Sequence, residues 1–309
     1  MKRDPPPLLR HPRNPILTPL DMPMECSAVF NSGACWYKGG YLLLLRVENC
    51  ARRVSFHVAT SRDGVKFKVN PEPIHYPAHA IEKRYSGAFR FDPRITLLEG
   101  SYYICHAVWI TGLGCMGGIA KTRDFVDFTP VPGSISVPSN RNMVLFPEKI
   151  GGRYARLERP FMEDGGGSIW VSYSPDLIYW GDARPLDIPI TAWNWRKRGA
   201  GATPIRTKKG WLLIYHATAK NASAENYCLG VALVDLKDPS KLIAASKKFI
   251  LEPAELYECV GQVPNVVFTC GAVERPDGTL NVYYGGADTR MCLATTTVDG
   301  LVEFCLQNA

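Results

Sequence analysis

The chain has 309 residues, of which 46% are hydrophobic and 21% are charged, and its formal net charge is +7. This composition is ordinary for a globular protein, and the length is sufficient for one large domain. The Lys and Arg residues are dispersed and form no basic stripe between stacking aromatics, so we expect no nucleic-acid partner. No stretch approaches about 18 apolar residues, so we expect no membrane span. An anionic small ligand remains compatible with the positive charge.

The N-terminal segment, residues 1–24, is rich in proline and poor in strand signals, which predicts an extended arm. Met1 is followed by no apolar stretch of the kind found in signal peptides, so we expect none. The ten cysteines are scattered and include no CxxC pair, which favours buried free thiols over disulfides. Together these features favour a cytoplasmic protein.

A short motif then recurs five times: a glycine in a turn, an apolar strand, and usually a polar residue six positions after the glycine. The copies run from Gly40 to Arg46, Gly100 to His106, Gly152 to Glu158, Gly210 to His216 and Gly278 to Tyr284. The glycines are 60, 52, 58 and 68 residues apart. Repeats of this length are supersecondary units that stack to bury a shared core.

Five such units predict an all-β protein, a five-bladed β-propeller, in which residues 1–309 form a single catalytic domain. The predicted blades cover residues 28–76, 88–132, 142–190, 200–252 and 266–306. The polar residues that end the five motifs would lie at equivalent strand ends and converge on one pocket. That convergence is the main reason to expect a functional site.

A second repeat closes the first three blades, with a hydroxyl residue, an Asp two positions later and an aromatic residue after it. The aspartates are Asp63, Asp124 and Asp176. We expect them to bond turn amides while the aromatic side chains pack between blades. Similar boxes occur in sialidases, but a sialidase would need a sixth blade, an arginine triad and a tyrosine nucleophile. The count of five repeats argues against that alternative.

Asp92 is the first candidate for chemistry, because it lies between Phe91 and the dipeptide Pro93-Arg94. Apolar neighbours would desolvate its carboxyl group and raise the pKa, whereas Arg94 would lower it. This opposition is typical of a carboxyl group that donates a proton. A turn-capping Asp before proline is the equally plain alternative.

Arg141 and Arg159 are 18 residues apart, on successive predicted strands of one blade, and Asn142 follows the first of them. Two guanidinium groups and an amide match a tetrahedral oxyanion, although two separate surface arginines would give the same sequence. His216 ends an apolar strand, where a core histidine is the alternative to a ligand-binding one. The spacing of His and Cys residues gives no zinc motif, so we predict no metal.

Further polar residues stand beside glycines at strand ends, where a ligand can approach the backbone closely. They are Asn31, Ser32, Arg46 and Asp288. Fixed amide, guanidinium and carboxylate groups of this kind suit the hydroxyl groups of a sugar.

Several linked motifs make the chain resemble glycoside hydrolase family 130, the inverting β-mannoside phosphorylases. The resemblance runs from Arg13 to Asp288. Its motifs are Phe30-Asn-Ser-Gly33 with Arg46, Asp92-Pro-Arg94, Arg141-Asn142, Leu145-Phe-Pro-Glu-Lys-Ile150, Arg159-Pro160, Gly210-Trp-Leu-Leu-Ile-Tyr-His216 and Val263-Pro-Asn-Val-Val-Phe268. The family's fold is a five-bladed propeller. One departure is Phe91, since many relatives carry an acidic residue at that position.

The resemblance implies a role for each matching residue. Asp92 would be the sole catalytic acid, whose proton reaches the glycosidic oxygen through the 3-hydroxyl of the mannosyl unit. The implied phosphate-binding residues are Arg141, Asn142, Arg159, His216 and Tyr215. The implied substrate-binding residues are Asn31, Ser32, Arg46, Asp288 and Arg94, the last of which would also orient Asp92.

A glycosidase normally uses two carboxyl groups, but phosphate is already an anionic nucleophile, so one acid facing a cationic cradle favours phosphorolysis. We therefore expect reversible inverting phosphorolysis of a manno-oligosaccharide or mannosyl-hexose to α-mannose 1-phosphate, with inorganic phosphate as co-substrate and no cofactor. The alternatives are a β-mannoside hydrolase of the same family and a non-catalytic sugar-binding propeller. The expected partners are a small carbohydrate and phosphate, and the proline-rich arm is a candidate for contacts in a homo-oligomer.

Overall fold

The computed structural model describes residues 7–85, 87–163, 165–220 and 224–309. In this part of the chain, 21 strands form five antiparallel sheets that follow one another along the sequence. The inner strand of each sheet packs against neighbouring sheets, and the fifth sheet returns to the first. The predicted five-bladed β-propeller is therefore confirmed.

The first three blades each take four consecutive strands. Blade 1 comprises β2 (Ala28–Tyr37), β3 (Gly40–Glu48), β4 (Val54–Ser61) and β5 (Lys68–Val69). Blade 2 comprises β6 (Ala88–Leu98), β7 (Ser101–Ile110), β8 (Gly114–Thr122) and β9 (Thr129–Pro130). Blade 3 comprises β10 (Asn140–Leu145), β11 (Tyr154–Pro160), β12 (Trp170–Ser174) and β13 (Gly181–Pro185).

The last two blades are less regular, and blade 5 includes a strand from the N-terminal end. Blade 4 comprises β14 (Lys197–Ala200), β15 (Ile205–Arg206), β16 (Trp211–Lys220), β17 (Glu225–Val234) and β18 (Leu242–Ala245). Blade 5 comprises β19 (Val267–Glu274), β20 (Thr279–Gly286), β21 (Arg290–Thr297) and β1 (Leu9–Arg10). The helices are α1 (Ala80–Arg84), α2 (Leu256–Cys259) and α3 (Val298–Gln307).

Strand β1 closes the ring, because it adds to the outer edge of blade 5. Leu9 pairs with Thr295 and Arg10 pairs with Ala294. The guanidinium of Arg10 also donates to both carboxylate oxygens of Glu258 at 2.8 Å. Part of the segment that the sequence predicted to be an arm is therefore the seam that joins the two ends of the propeller.

Two-residue turns join the first and second strands of blades 1 to 3. They are Lys38-Gly39, Glu99-Gly100 and Gly151-Gly152, and all six residues have φ between +48° and +79°. Two successive positive φ angles are the mark of a type I′ turn, whose twist matches that of the strands it joins. Because the turn fixes the pairing of each hairpin, its second residue marks equivalent positions in these blades.

The three Asp boxes stabilise turns, as the sequence predicted. Asp63 accepts hydrogen bonds from the backbone amides of Val65 and Lys66 at 2.9 and 2.8 Å. Asp124 and Asp176 make the same pair of bonds in their own blades. The boxes therefore hold outer turns of the propeller.

The apolar core lies between adjacent blades and beneath α3. Trp211 of blade 4 is fully buried and meets Phe146 of blade 3 edge to face, with ring centroids 5.2 Å apart. Leu301 and Cys305 bury the inner side of α3. All ten cysteines are described and are free thiols, six of them buried. Of the helices in the described residues, none has the length and apolarity needed to cross a bilayer.

Candidate functional site

Three inner strands carry an irregularity at the same place. The pairing register shifts once in β2, β6 and β10, directly after Phe30, Phe91 and Arg141. The next residues are Asn31, Asp92 and Asn142, with φ of 49°, 53° and 57°. Positive φ is uncommon outside glycine but is tolerated best by Asn and Asp, and such strained residues cluster at functional sites.

The carboxylate of Asp92 is held from one side only. Its Oδ1 accepts hydrogen bonds from Asn31 Nδ2 at 3.0 Å and from Arg46 Nη1 at 2.9 Å. Its Oδ2 accepts none from the residues that the structure describes, and 9% of the side chain remains exposed. The second oxygen is therefore the one that a bound molecule can reach.

Opposing effects act on the pKa of Asp92, as the sequence suggested. Burial raises it, whereas Arg46, Arg94 and the hydrogen bond from Asn31 lower it, and the net shift is downward. The guanidinium groups therefore outweigh desolvation. In the free protein at neutral pH, Asp92 is a carboxylate.

Arg94 does not contact the carboxylate of Asp92 and is not open to a ligand, which corrects the prediction that it binds substrate. Its side chain is fully buried and donates to the carbonyl oxygens of Asp92, Ala200 and Gly201 at 3.1, 2.9 and 2.8 Å. These bonds tie the irregular part of β6 to blade 4. Arg94 thus fixes the backbone from which Asp92 projects.

Arg141 and Arg159 form a cationic pair in blade 3. They lie directly opposite each other across β10 and β11, where Cβ atoms are about 5 Å apart. Arg159 is fully buried, and none of its three guanidinium nitrogens has a hydrogen-bond partner in the described part of the chain. Burial, followed by the charge of Arg141, lowers the pKa of Arg159 to about 9. An unpaired buried cation of this kind is costly, so it indicates a missing anion.

His216 lies against the same group. A Cβ atom added to Gly199 would lie 2.6 Å from His216 Nε2 and 2.8 Å from Asn142 Oδ1, so both side chains converge on this glycine. The imidazole packs on Phe268, with ring centroids 4.3 Å apart. Burial, then Arg159 and other nearby cations, holds the pKa of His216 well below its usual value. The ring is therefore neutral, and its Nδ1 has no partner among the described residues.

Asp288 belongs to the cluster around Asp92. It is partly exposed, and its backbone has a φ of 47°. Burial raises the pKa of Asp288 to about 7; Arg46 opposes this shift, and Asp92 and Glu48 add to it. Glu48, which the sequence did not single out, accepts a very short hydrogen bond from Arg46. The carboxyl groups are therefore gathered around one guanidinium.

Two residues that the resemblance assigned to the site face away from it. Tyr215 is fully buried and stacks on Trp193, with centroids 6.0 Å apart. The hydroxyl of Ser32 is buried against a methionine sulfur at 3.6 Å. Both are strand neighbours of residues in the site, His216 and Asn31, and successive side chains of a strand point to opposite faces. The structure thus separates Tyr215 and Ser32 from the predicted groups.

The expected convergence of the five repeated polar residues is also wrong in part. Arg46 and His216 reach the site. His106 instead lies 3.2 Å from the hydroxyl of Tyr76. The hydroxyl of Tyr284 donates to Glu258 at 2.8 Å, and Glu158 pairs with Arg156 at 2.7 Å. Three of the five are therefore structural.

The reason is a shift of one residue in the count. Gly40 is the first residue of β3, whereas Gly100 and Gly152 are the second residues of their turns. Counting seven positions from the second turn residue of blades 1, 2 and 3 gives Arg46, Ala107 and Arg159. Arg159 is thus the counterpart of Arg46, and the turn type is the signal that would have found it.

Three further residues join the cationic pair and were missed in the sequence. Phe161 lies next to both arginines, and Lys197 donates to Glu225 at 2.6 Å and to Tyr227 at 3.4 Å. Arg141, Phe161 and Lys197 line one open cavity of about 500 Å³. Nothing in the sequence distinguished these residues from ordinary strand-end residues. In the described residues no cluster of three or more His, Cys, Asp or Glu is arranged to hold a metal ion.

Comparison with known proteins gives consistent results. The profile of a family described as beta-1,4-mannooligosaccharide phosphorylase matches residues 2–307. A beta-1,4-mannooligosaccharide phosphorylase of Ruminococcus albus is 34% identical over 96% of this chain and 90% of its own length. A 1,2-beta-oligomannan phosphorylase of a Thermoanaerobacter species is 36% identical over 89% of this chain and 92% of its own length.

Solved structures agree in fold. The beta-1,2-mannobiose phosphorylase of Listeria innocua, in complex with beta-1,2-mannobiose, superposes with a TM-score of 0.87 at 28% identity. The match covers 97% of this chain and 99% of that one. The family match over nearly the whole sequence and the identities above 30% confirm the resemblance, and the chain belongs to glycoside hydrolase family 130.

Proposed function

We propose that this protein catalyses the reversible, inverting phosphorolysis of β-mannosides, manno-oligosaccharides or mannosyl-hexoses, to α-mannose 1-phosphate. The names of its relatives support this function, since they are phosphorylases of β-1,4- and β-1,2-linked mannosides. The substrate is a small carbohydrate, and inorganic phosphate is the co-substrate. No other cofactor or metal enters the proposal.

The single observation that carries the proposal is Arg159. It is a fully buried guanidinium without a partner in the described residues, next to a second guanidinium on Arg141. Folding tolerates such an arrangement when a ligand supplies the opposite charge. A phosphate dianion does so, because its oxygens accept paired N–H donors from each guanidinium. A hydrolase would have no use for this cost.

The phosphate site we propose comprises Arg141, Asn142, Arg159 and His216, and it is extended by Lys197 and Tyr227. Because His216 is neutral, it offers one N–H donor and adds no charge. The proposal leaves Tyr215 out, because its side chain lies on the other face of the blade.

The proposed acid is Asp92, acting through Oδ2. Phosphate bound beside Arg141 would offset the cationic charge that lowers the pKa of Asp92, and would thereby favour its protonated form. From Asp92 the proton passes to the glycosidic oxygen through the 3-hydroxyl of the mannosyl unit, as in the family. Attack by phosphate from the opposite face then inverts the anomeric carbon.

The mannosyl unit lies among Asn31, Arg46 and Asp288 in this proposal. Their amide, guanidinium and carboxyl groups surround Asp92. Arg94 is assigned to positioning Asp92, and Ser32 to packing. A cytoplasmic location is part of the proposal, because ten free thiols suit a reducing compartment. Assembly into a homo-oligomer stays a prediction.

The test is product analysis with β-1,2- and β-1,4-mannobiose and with mannosyl-glucose, each with and without inorganic phosphate. We expect mannose 1-phosphate to form only when phosphate is present. Release of free mannose at equal rates in both conditions would contradict the proposal and identify a hydrolase. Sugar binding without turnover in either condition would identify a binding module. Asp92→Asn, which keeps the side-chain size, is the control for background turnover.

A further inference from the structure

Arg141 and Arg159 raise a physical question that the proposed function does not answer. Two like charges lie directly across a strand pair, and Arg159 has no hydrogen-bond partner in the described residues. Like charges in this position repel each other. An acidic partner would relieve the repulsion, but it would also occupy the donors that an anion needs. Some other group must hold the pair in place before the anion binds.

Phe161 is the residue in the right place. Its ring centroid lies 5.0 Å from the central guanidinium carbon of Arg141 and 5.2 Å from that of Arg159. Both distances are within the range of cation–π attraction. The N–H donors of a guanidinium lie in its plane, whereas a ring acts on its face. One phenyl ring can therefore attract both cations and leave their donors free.

The backbone around Phe161 is fixed. Phe161 follows β11 directly, and its amide donates to the carbonyl of Ser139 at 2.8 Å, next to the start of β10. A Cβ atom on Gly167 would lie 3.2 Å from Cγ of Arg159, so the returning loop packs closely against the stem of that arginine. The position of the ring is thus set by the two strands that carry the two cations.

Phe161 also packs against Phe91, whose ring centroid lies 5.2 Å from the central guanidinium carbon of Arg46. The ring of Phe161 is only partly buried, and it lines the open cavity that Arg141 and Lys197 also line. It therefore borders the space that an entering anion would cross.

We propose that Phe161 is a positioning residue of the anion site, which holds Arg141 and Arg159 side by side through its ring and keeps their donors available. The proposal deepens the proposed function and rests on it, because the anion is taken to be inorganic phosphate. It assigns no chemical step to the ring.

The test measures inorganic phosphate binding by calorimetry and separate KM values for phosphate and for the β-mannoside. In Phe161→Leu, which keeps much of the apolar volume without the ring, we expect the phosphate Kd and KM to rise about tenfold. The KM for the sugar should change much less. Phe161→Tyr should restore phosphate affinity, since it restores the ring. Phe161→Met serves as the second ring-free variant if the leucine variant does not fold.

A matched control is Phe249→Leu, because Phe249 packs on Trp193 in blade 4 and contacts neither arginine. It should leave phosphate affinity unchanged. Unchanged phosphate affinity in the ring-free variants would overturn the proposal, as would failure of the tyrosine variant to restore it. A wild-type protein that turns over β-mannosides and binds no phosphate would refute the proposed function instead, and this proposal with it.

Discussion

Arg159 predicts an exchange between stability and function. The side chain is fully buried, has no hydrogen-bond partner in the described part of the chain, and has a pKa of about 9 in place of 12.5. Each unit of pKa corresponds to about 1.4 kcal/mol, so the depression corresponds to about 5 kcal/mol of unfavourable free energy at neutral pH. Removing the charge should therefore stabilise the folded protein.

The variant is Arg159→Met, which is apolar and similar in length. Part of the gain is lost, because methionine gives up the contact with Phe161 and fills the space imperfectly. We therefore expect a net gain of about 2 kcal/mol, or about 4 °C in Tm, in phosphate-free buffer. The folded-state pKa lies below the unfolded one, so the cost of the charge is complete below pH 9. It declines only as the pH rises through that value.

The assay is thermal unfolding of both proteins at increasing phosphate concentration. Wild type should gain about 2.7 kcal/mol at a phosphate concentration of 100 times Kd, whereas Arg159→Met should gain almost nothing. The control is Arg153→Met, since Arg153 is an exposed arginine of the same blade, and it should change the stability by less than about 0.5 kcal/mol. If Arg159→Met is less stable than wild type without phosphate, the reasoning about an uncompensated buried charge is wrong.

Three further predictions concern the rest of the site. Asp92→Asn should lower kcat by at least about a hundredfold, because it removes the acid, and calorimetry should show phosphate binding retained; equal loss of both would contradict the assignment. His216→Ala should weaken phosphate binding, whereas Tyr215→Phe should leave the phosphate KM within about twofold, because the two side chains lie on opposite faces of β16; the reverse pattern would reject this orientation. Asp288→Asn should become more stable relative to wild type as the pH rises from about 4 to 7, because a carboxyl group whose pKa is raised to about 7 costs free energy when it ionises; denaturant unfolding at several pH values measures this difference, and no trend with pH would reject it.

The propeller was predictable because each blade contains a strong local signal. A turn glycine before an apolar strand and an Asp box after the next strand both follow from backbone chemistry that residues near in sequence decide. Strand β1 was not predictable in the same way. Leu9 and Arg10 look like part of a proline-rich arm, and their partners are Ala294 and Thr295, far along the chain.

The site was predictable where a motif marked one residue at a time. Asp92, Arg141, Arg159 and His216 lie in the clusters that their chemistry suggested. The errors came from side-chain direction. Ser32 and the tyrosine beside His216 share motifs with residues of the site, but the alternation of a strand sends them to the other face.

Phe161 shows the opposite limit. A single phenylalanine after a strand has many uses, and its sequence neighbours give no sign of a shared contact with two cations. That contact exists because β10 and β11 pair Arg141 directly with Arg159, and register across strands is set by the whole hairpin. Such residues become visible only when strand pairing is known.

The seam in blade 5 has a consequence for how the protein is made. Leu9 emerges early from the ribosome, whereas Thr295, its partner, is among the last residues to be synthesised. At usual rates of translation the first segment waits on the order of tens of seconds for the strand that completes its sheet. Until then, the outer edge of the last blade and the start of the chain are both without their final neighbours, and the circle of blades is fastened only at the end of synthesis.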